Sequence, residues 1–397
     1  LSKLLWHSNA PWSPTGYGQQ TALFAPLLAD RYELAISSFY GLEGAPRSWE
    51  KIPVFPGLGG EYGNDTLPQH AAQWFGGDPR GGLVVTLMDV WVLDPGMPRQ
   101  LNCACWVPVD HDPAPPKVIE FFVQSDAVPI AMSRFGELQL GRLDPLYVPH
   151  GVDTTVYKPM DTNSAREKSF PKGAFVVGMV AANKGRPSRK GFPQALRAFA
   201  EFAKRHDNAF LYLHTQFDPN VGGGENIPAL IEHLGIPTDR VRQADQYAML
   251  HVPYTDDQMA RIYGAMDVLL NPSWGEGFGI PVLEAQSCGV PAIVTDFSAM
   301  SEVCGAGWKV KHSPYWTALN SWQAIPDSDD ILSALEECYS LKSYQREKLS
   351  KAARAHALQY DSRLVFKQYM LPALRVAAQR FEARGAVRIP ARLKAAA

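Results

Sequence analysis

Short apolar runs separated by polar, Gly- and Pro-bearing segments dominate the chain from its start. Lys3-Leu4-Leu5-Trp6-His7 predicts a buried first strand, followed by a loop over Ser8–Thr15. From Gly16-Tyr17-Gly18 a helix is expected to run to about Ala29. Further strands are predicted at Leu34–Phe39, Val54–Phe55, Leu83–Met88, Leu101–Val107 and Ala127–Ala131. Helices are predicted at Asp65–Phe75, Pro116–Gln124 and Ser133–Leu140. Strands alternating with helices imply a parallel sheet covered on both faces, with ligands collecting at the carboxyl ends of its strands.

The same rhythm then repeats. After a polar stretch at Asp161–Lys172, expected to be a loop, Ala174–Ala181 predicts a buried strand and Phe192–Arg205 a helix. Ala209–His214 and Tyr247–Val252 read as strands, Gly222-Gly223-Gly224 as a flexible loop, and Pro228–Leu234 as a short helix. Thr255 caps a helix to Ala265 that has acids in its first turn. The strand Asp267–Leu270, the loop closed by Gly279, and a helix with Pro281 in its first turn lead to a stop at Gly289-Val290-Pro291 and a strand at Ala292–Val294. Aromatic-rich Trp308–Trp322 gives no functional signal, and helices dominate from Asp329 to about Ala383.

The chain has 397 residues, 46% of them hydrophobic, enough for two domains with separate cores. A formal charge of −2 gives no overall footprint for nucleic acid or an anionic membrane. Arg375, Arg380, Arg384, Arg388, Arg392 and Lys394 make a basic tail that offers weak contact to an anionic partner. Five cysteines without a CxxC pair fit a reducing cytoplasm, and Cys103 and Cys105 alternate onto one strand face, as core residues do. No apolar run approaches the roughly 18 residues of a membrane span, and no signal peptide is read at the start. Beginning at Leu1, the sequence is expected to lack a few natural N-terminal residues.

Three segments carry chemistry. In Asn271–Pro291 a Gly-bearing loop runs from a strand into a helix N-terminus, offering free backbone N–H groups and the positive end of a helix dipole to phosphate. Glu276 in the loop and Glu284 about one turn into the helix could each accept paired hydroxyls. Lys184, Arg186, Arg189 and Lys190 form a basic loop after Ala174–Ala181 that suits a diphosphate. In the first half, Asp89 interrupts an apolar stretch, and Asp110-His111-Asp112 follows a strand. Its D-x-D spacing also fits carboxylates chelating Mg²⁺ or Mn²⁺.

Pro272-Ser273-Trp274-Gly275-Glu276-Gly277-Phe278-Gly279 with Glu284-Ala285 resembles the donor signature of retaining family 4 glycosyltransferases, P-S-x-x-E-G-F-G-x-x-x-x-E-A. The resemblance implies an α/β fold of the GT-B class: two Rossmann-like, doubly wound domains facing across a cleft. It places an acceptor-side domain at 1–150 and a nucleotide-sugar domain at 151–360. From 361 to 397 a helix crosses back to the first domain and ends in the basic tail. Val148-Pro149-His150-Gly151-Val152-Asp153 with Lys158-Pro159 resembles the family linker. The implied reaction is retaining transfer of a hexose from a nucleotide-diphospho-sugar, the co-substrate, with no cofactor and no metal; a UDP-glucose-like donor is expected because it is the common one. The acceptor is open: a saccharide, a lipid-linked group, a protein or a modified nucleic acid.

By the same resemblance His111 approaches the transferred sugar, Lys190 holds the leaving diphosphate and Glu276 orients sugar hydroxyls. Gly16, Gly18, Arg189, Phe278, Gly279, Ile280 and Glu284 bind the donor, Glu284 through ribose hydroxyls, and the base lies near Tyr247–Pro253. One departure stands out. Ala182 or Asn183 occupies the place of the family's phosphate arginine, leaving Lys184, Arg186 or Arg189 to substitute. Two alternatives follow: a metal-dependent GT-A-type transferase using Asp110 and Asp112, or a GT-B sugar-nucleotide binder, epimerase or phosphorylase without transferase activity.

Overall fold

A computed structural model of the chain describes residues 2–57, 59–167 and 169–385. Arg388, Arg392 and Lys394 of the basic tail lie outside the described residues. The chain divides into two compact units, with the chain passing between them at Gly151–Val152, Thr317–Ala318, Ser321–Trp322 and Asp361–Ser362. The first runs to Gly151 and takes in Ala318–Ser321 and the residues from Ser362 on. The second holds Val152–Thr317 and Trp322–Asp361.

The first unit is built on an eight-stranded sheet. Its strands are β1 (Lys3–Asn9), β2 (Glu33–Tyr40), β3 (Arg47–Trp49), β4 (Ile52–Phe55), β5 (Leu83–Leu87), β6 (Cys103–Val107), β7 (Val128–Ala131) and β8 (Leu146–Tyr147). In the order β3-β4-β2-β1-β5-β6-β7-β8, every neighbour is parallel except the antiparallel β3–β4 pair. The run that predicted β1 is buried because the strand is central, with partners on both edges and Leu4, Leu5 and Trp6 fully enclosed. Cys103 and Cys105 share a face, Sγ to Sγ 3.7 Å, inside the core. The helix Gly16–Ala29 follows β1 and is capped by Thr15, whose Oγ1 accepts from Gly18 N at 3.0 Å. The last helix, Leu371–Ala383, packs on β7, and Arg380 donates to the backbone oxygen and Oδ2 of Asp144 at 2.7 and 2.6 Å.

The second unit is built on six parallel strands ordered β11-β10-β9-β12-β13-β14. They are β9 (Phe175–Val180), β10 (Ala209–His214), β11 (Val241–Gln243), β12 (Val268–Asn271), β13 (Ala292–Thr295) and β14 (Gly307–Val310). The helices Phe192–Arg205 and Ser328–Ser340 pack on each other and on this sheet through Phe192, Phe199, Phe202, Ile331 and Leu335. A separate antiparallel hairpin, β15 (His312–Trp316) with β16 (Trp322–Pro326), follows β14.

Some expectations need correcting. Tyr247–Val252 is not a strand: Gln246–His251 is a helix whose N-cap, Asp245, accepts from Tyr247 N and Ala248 N. Tyr247 and Leu250 are exposed, at 70% and 51%, and none of the helix is buried, so the run reflects a surface helix and not a buried strand. The stretch 161–172 is not wholly a loop, since Asp161 caps the short helix Thr162–Arg166. Gly222 closes a helical turn, Pro219–Gly222, and after it Arg186 donates to Gly224 O while Asn183 Oδ1 accepts from Glu225 N.

Candidate active site

Two loops leave the carboxyl ends of neighbouring strands, 181–191 after β9 and 272–279 after β12. Backbone contact locks them together. Trp274 N donates to Arg189 O at 2.7 Å. Gly191 sits at φ +69°, and a Cβ there would stand 2.2 Å from Pro272 O. Only glycine satisfies both demands.

This approach brings three charged side chains to one point. Lys190 Nζ donates to Glu276 Oε1, and Arg189 Nη1 donates to Glu276 Oε2 at 3.2 Å and to Gly275 O. Glu276 N donates to Ser298 Oγ at 2.9 Å. Burial of Glu276 pushes its carboxyl up, but the charges of Lys190 and Arg189 with their hydrogen bonds outweigh it and bring the value down to about 2. The three charges sum to one net positive.

Beside them the helix Ile280–Ser287 begins. Gly279, at φ +103°, is its N-cap, Pro281 lies in its first turn, and Val282 N and Leu283 N both donate to Gly279 O. The amides of Gly279 and Ile280 have no acceptor among the described residues. Phe278 is buried with its ring 5.8 Å from that of Tyr360. Glu284, 5% exposed, accepts from Tyr263 Oη at 2.7 Å. Burial first, and the Glu284 charge second, push the phenols of Tyr263 and Tyr157 up, so both remain donors.

The rest of the basic loop is occupied with the fold. Asn183 is buried and donates to Gln216 O at 3.0 Å and Glu225 O at 2.7 Å, while its Oδ1 accepts from Glu225 N. Arg186 Nε donates to Gly224 O at 2.6 Å, and Lys184 bridges to Gly223. Of the three cations expected to substitute for the missing arginine, Arg189 alone is seen at Glu276.

In the first unit, Gly16 is exposed at the start of its helix and Gly18 is buried. A Cβ at Gly18 would meet Ser13 O at 2.3 Å, so its bareness serves the loop's own backbone. Tyr17 Oη donates to Asp89 Oδ2 at 2.9 Å. His111 is 4% exposed, with Nδ1 2.6 Å from Asp110 Oδ1, and Asp112 faces solvent. Among the described residues no three His, Cys, Asp or Glu side chains converge as metal ligands would. Sequence reasoning missed Tyr17, Ser298, Tyr157 and Tyr263. Each reaches its partner across long chain separations, which no local motif encodes.

Residues 174–328 match the family model described as glycosyl transferases group 1. This segment, which holds both candidate loops, is therefore similar to that family. Similar curated proteins include a D-inositol 3-phosphate glycosyltransferase of Corynebacterium jeikeium, 32% identical over 156 residues, 37% of this chain and 34% of the relative. Another, of Segniliparus rotundus, is 28% identical over 208 residues, 52% and 42% of the two chains. The chain thus spans about a third to two-fifths of the curated relatives it matches. Sucrose-phosphate synthase from Thermosynechococcus elongatus shares the fold with a TM-score of 0.73 at 16% identity, over 98% of this chain and all of that one. HepE of Anabaena, solved with UDP-glucose, does so with a TM-score of 0.67 at 15% identity, over 98% of this chain and 100% of its own. The fold is therefore GT-B, as the group 1 signature implied.

Proposed function

We propose that this chain is a retaining glycosyltransferase of the group 1 type that moves a hexose from a nucleotide-diphospho-sugar, UDP-glucose in the first instance, without a bound metal ion. The observation that supports it best is the convergence of Lys190 and Arg189 on Glu276, beside the unengaged amides of Gly279 and Ile280. Fixed cations and amides are matched to the charge that grows on a diphosphate as the anomeric C–O bond breaks. Once a diphosphate takes over Lys190 and Arg189, Glu276 is released to accept sugar hydroxyls. Glu284, steadied by Tyr263, accepts the ribose hydroxyls, a carboxylate having about four acceptor positions. His111 is kept as the sugar contact that the family resemblance implies, and Asp110 holds its ring. In the retaining step the acceptor oxygen bonds to the anomeric carbon on the face the phosphate leaves, and its proton passes to the departing phosphate oxygen. UDP-glucose is supported by the ligand named for the Anabaena neighbour. The five buried, unpaired cysteines favour a reducing cytoplasm. Among the described residues no helix is long and apolar enough to cross a membrane.

The GT-A alternative is not carried forward, because the fold is that of GT-B enzymes and Asp110 is engaged by His111. Radiolabelled UDP-, GDP- and ADP-sugars incubated without acceptor test the proposal: slow release of free sugar from one of them is expected. Tight binding with no turnover, with or without acceptors, would leave a sugar-nucleotide binder instead. Hydrolysis should also persist in EDTA, and loss restored by Mn²⁺ would contradict metal-independence.

A further inference from the structure

The β15–β16 hairpin belongs to neither the parallel sheet nor the donor loop, yet it is fastened to that loop. Ala324 N on β16 donates to Trp274 O at 2.9 Å, and the Tyr315 ring meets the Trp274 ring edge-on at 5.0 Å. Trp274 stands two residues before Glu276, so hairpin and donor loop form one piece of structure. Every residue of β15 is exposed. Tyr315, Trp316 and Trp322 show 37%, 50% and 42% of their surfaces. Trp316 and Trp322 face each other across the ladder, rings 4.9 Å apart at 69°, so ring faces stay open.

Leaving large aromatic surface in water is unfavourable, and a fold that does so is usually holding it for a ligand. The chemistry of the patch narrows that ligand. His312–Trp322 contains no Asp, Glu, Lys or Arg, which argues against a phosphorylated or anionic surface. Its large exposed side chains are rings that carry a polar N–H or O–H, and no exposed Leu, Ile, Val, Met or Phe accompanies them. Trp and Tyr also anchor at membrane interfaces, but there aliphatic side chains accompany them, and on an apolar protein face they do too. Rings with polar edges suit a ligand with flat C–H faces and hydroxyls at its rim.

We infer that this hairpin is a saccharide subsite for the acceptor, an uncharged pyranose stacking on the Trp316–Trp322 pair beside the donor loop. The inference rests on the glycosyltransferase reading above and names the acceptor class that reading leaves open.

The test uses the full chain saturated with UDP, titrated with methyl glucopyranosides, maltose, cellobiose and chitobiose and followed by saccharide-observed NMR. At least one of these should bind the wild type. Trp316→Ala and Trp322→Ala should each weaken that binding about tenfold, a change of about 1.4 kcal/mol. UDP affinity and acceptor-free hydrolysis of the donor should stay within twofold of wild type, which also reports that each variant is folded. Trp316→Tyr, which keeps a stacking ring, should retain most of the saccharide affinity and covers the case of an unfolded alanine variant. Equal saccharide binding by wild type and variants, or none by either, would overturn the inference. So would tryptophan-dependent binding to phosphatidylcholine–phosphatidylglycerol vesicles with no saccharide effect, which would make the hairpin a membrane contact. Absence of any donor hydrolysis by the wild type counts against the glycosyltransferase reading itself and is scored separately.

Discussion

Glu276 is the residue on which opposing demands meet. A buried carboxylate is tolerated because Lys190 and Arg189 hold it, and in the proposed reaction the same two cations receive the diphosphate. Carboxylate and phosphate therefore compete for one pair of charges. Glu276→Gln should raise UDP affinity, because the cations are no longer neutralised, while kcat/KM for transfer falls about 10²-fold or more as a sugar contact is lost. Calorimetry and steady-state rates read the two quantities; weaker UDP binding would show that Glu276 assembles the cations and does not compete for them. Lys190→Ala should cost a few kcal/mol of transition-state stabilisation, about 10²–10³-fold in kcat/KM. A near-normal value would remove Lys190 from the leaving-group role. The motifs put Lys190 and Glu276 in loops after strands of one parallel sheet, but their direct pairing was not legible. Nor was it legible which further cation reaches Glu276. Lys184, Arg186 and Arg189 are equivalent as letters, and the choice is made by Asn183 and Gly224, which draw the front of the loop away and leave Arg189 facing Glu276.

The elements were legible where burial and period agreed. β1, β9, β10 and the helix Phe192–Arg205 follow their apolar patterns closely, because central parallel strands must be apolar on both faces. Gln246–His251 broke that rule by exposing an apolar run, and its helix-forming Ala248, Met249 and Leu250 after the Asp245 cap were the better guide. β15 and β16 escaped notice because an exposed aromatic hairpin has no hydrophobic alternation to detect. The junction between β9 and its helix makes a measurable claim about geometry. Gly191→Ala combines a left-handed backbone with a Cβ 2.2 Å from Pro272 O, whereas Gly173→Ala, at φ +80°, has nothing within 4 Å. Both substitutions incur the backbone cost of about 1–2 kcal/mol. Gly191→Ala alone should add a clash, moving the urea midpoint further and weakening UDP binding as the two loops separate. Equal midpoints would mean that the loops part without strain.

At the scale of the molecule, two α/β units with separate cores share one vulnerability, buried neutral imidazoles. In the first unit His7 is enclosed between Ser37 Oγ and Tyr62 O, at 2.9 and 3.1 Å, and burial, helped by His70, lowers it to about 4. His150, its ring 4.5 Å from Trp106, is lowered by burial to about 3. In the second unit burial lowers His214 to about 4, its ring packed against Tyr254 at 4.7 Å. A base whose folded pKa lies below its unfolded value of about 6.5 leaves the unfolded chain binding more protons. Stability is therefore lost as pH falls from about 6.5 toward 4, by up to about 1.4 kcal/mol per pH unit for each such group. Glu276 acts in a lower window: its depressed carboxyl contributes stability above its ordinary range, and that contribution is lost only as pH falls toward about 2. Between pH 6.5 and 5 the histidines thus decide the outcome. Thermal melts should be nearly flat from pH 8 to 7 and fall steeply below 6.5. His214→Gln should flatten the acid limb of the second unit, while His150→Gln does so for the first. A melting temperature unchanged between pH 7 and 5 would show that the imidazoles are hydrated in solution and that these cores are looser than their packing implies.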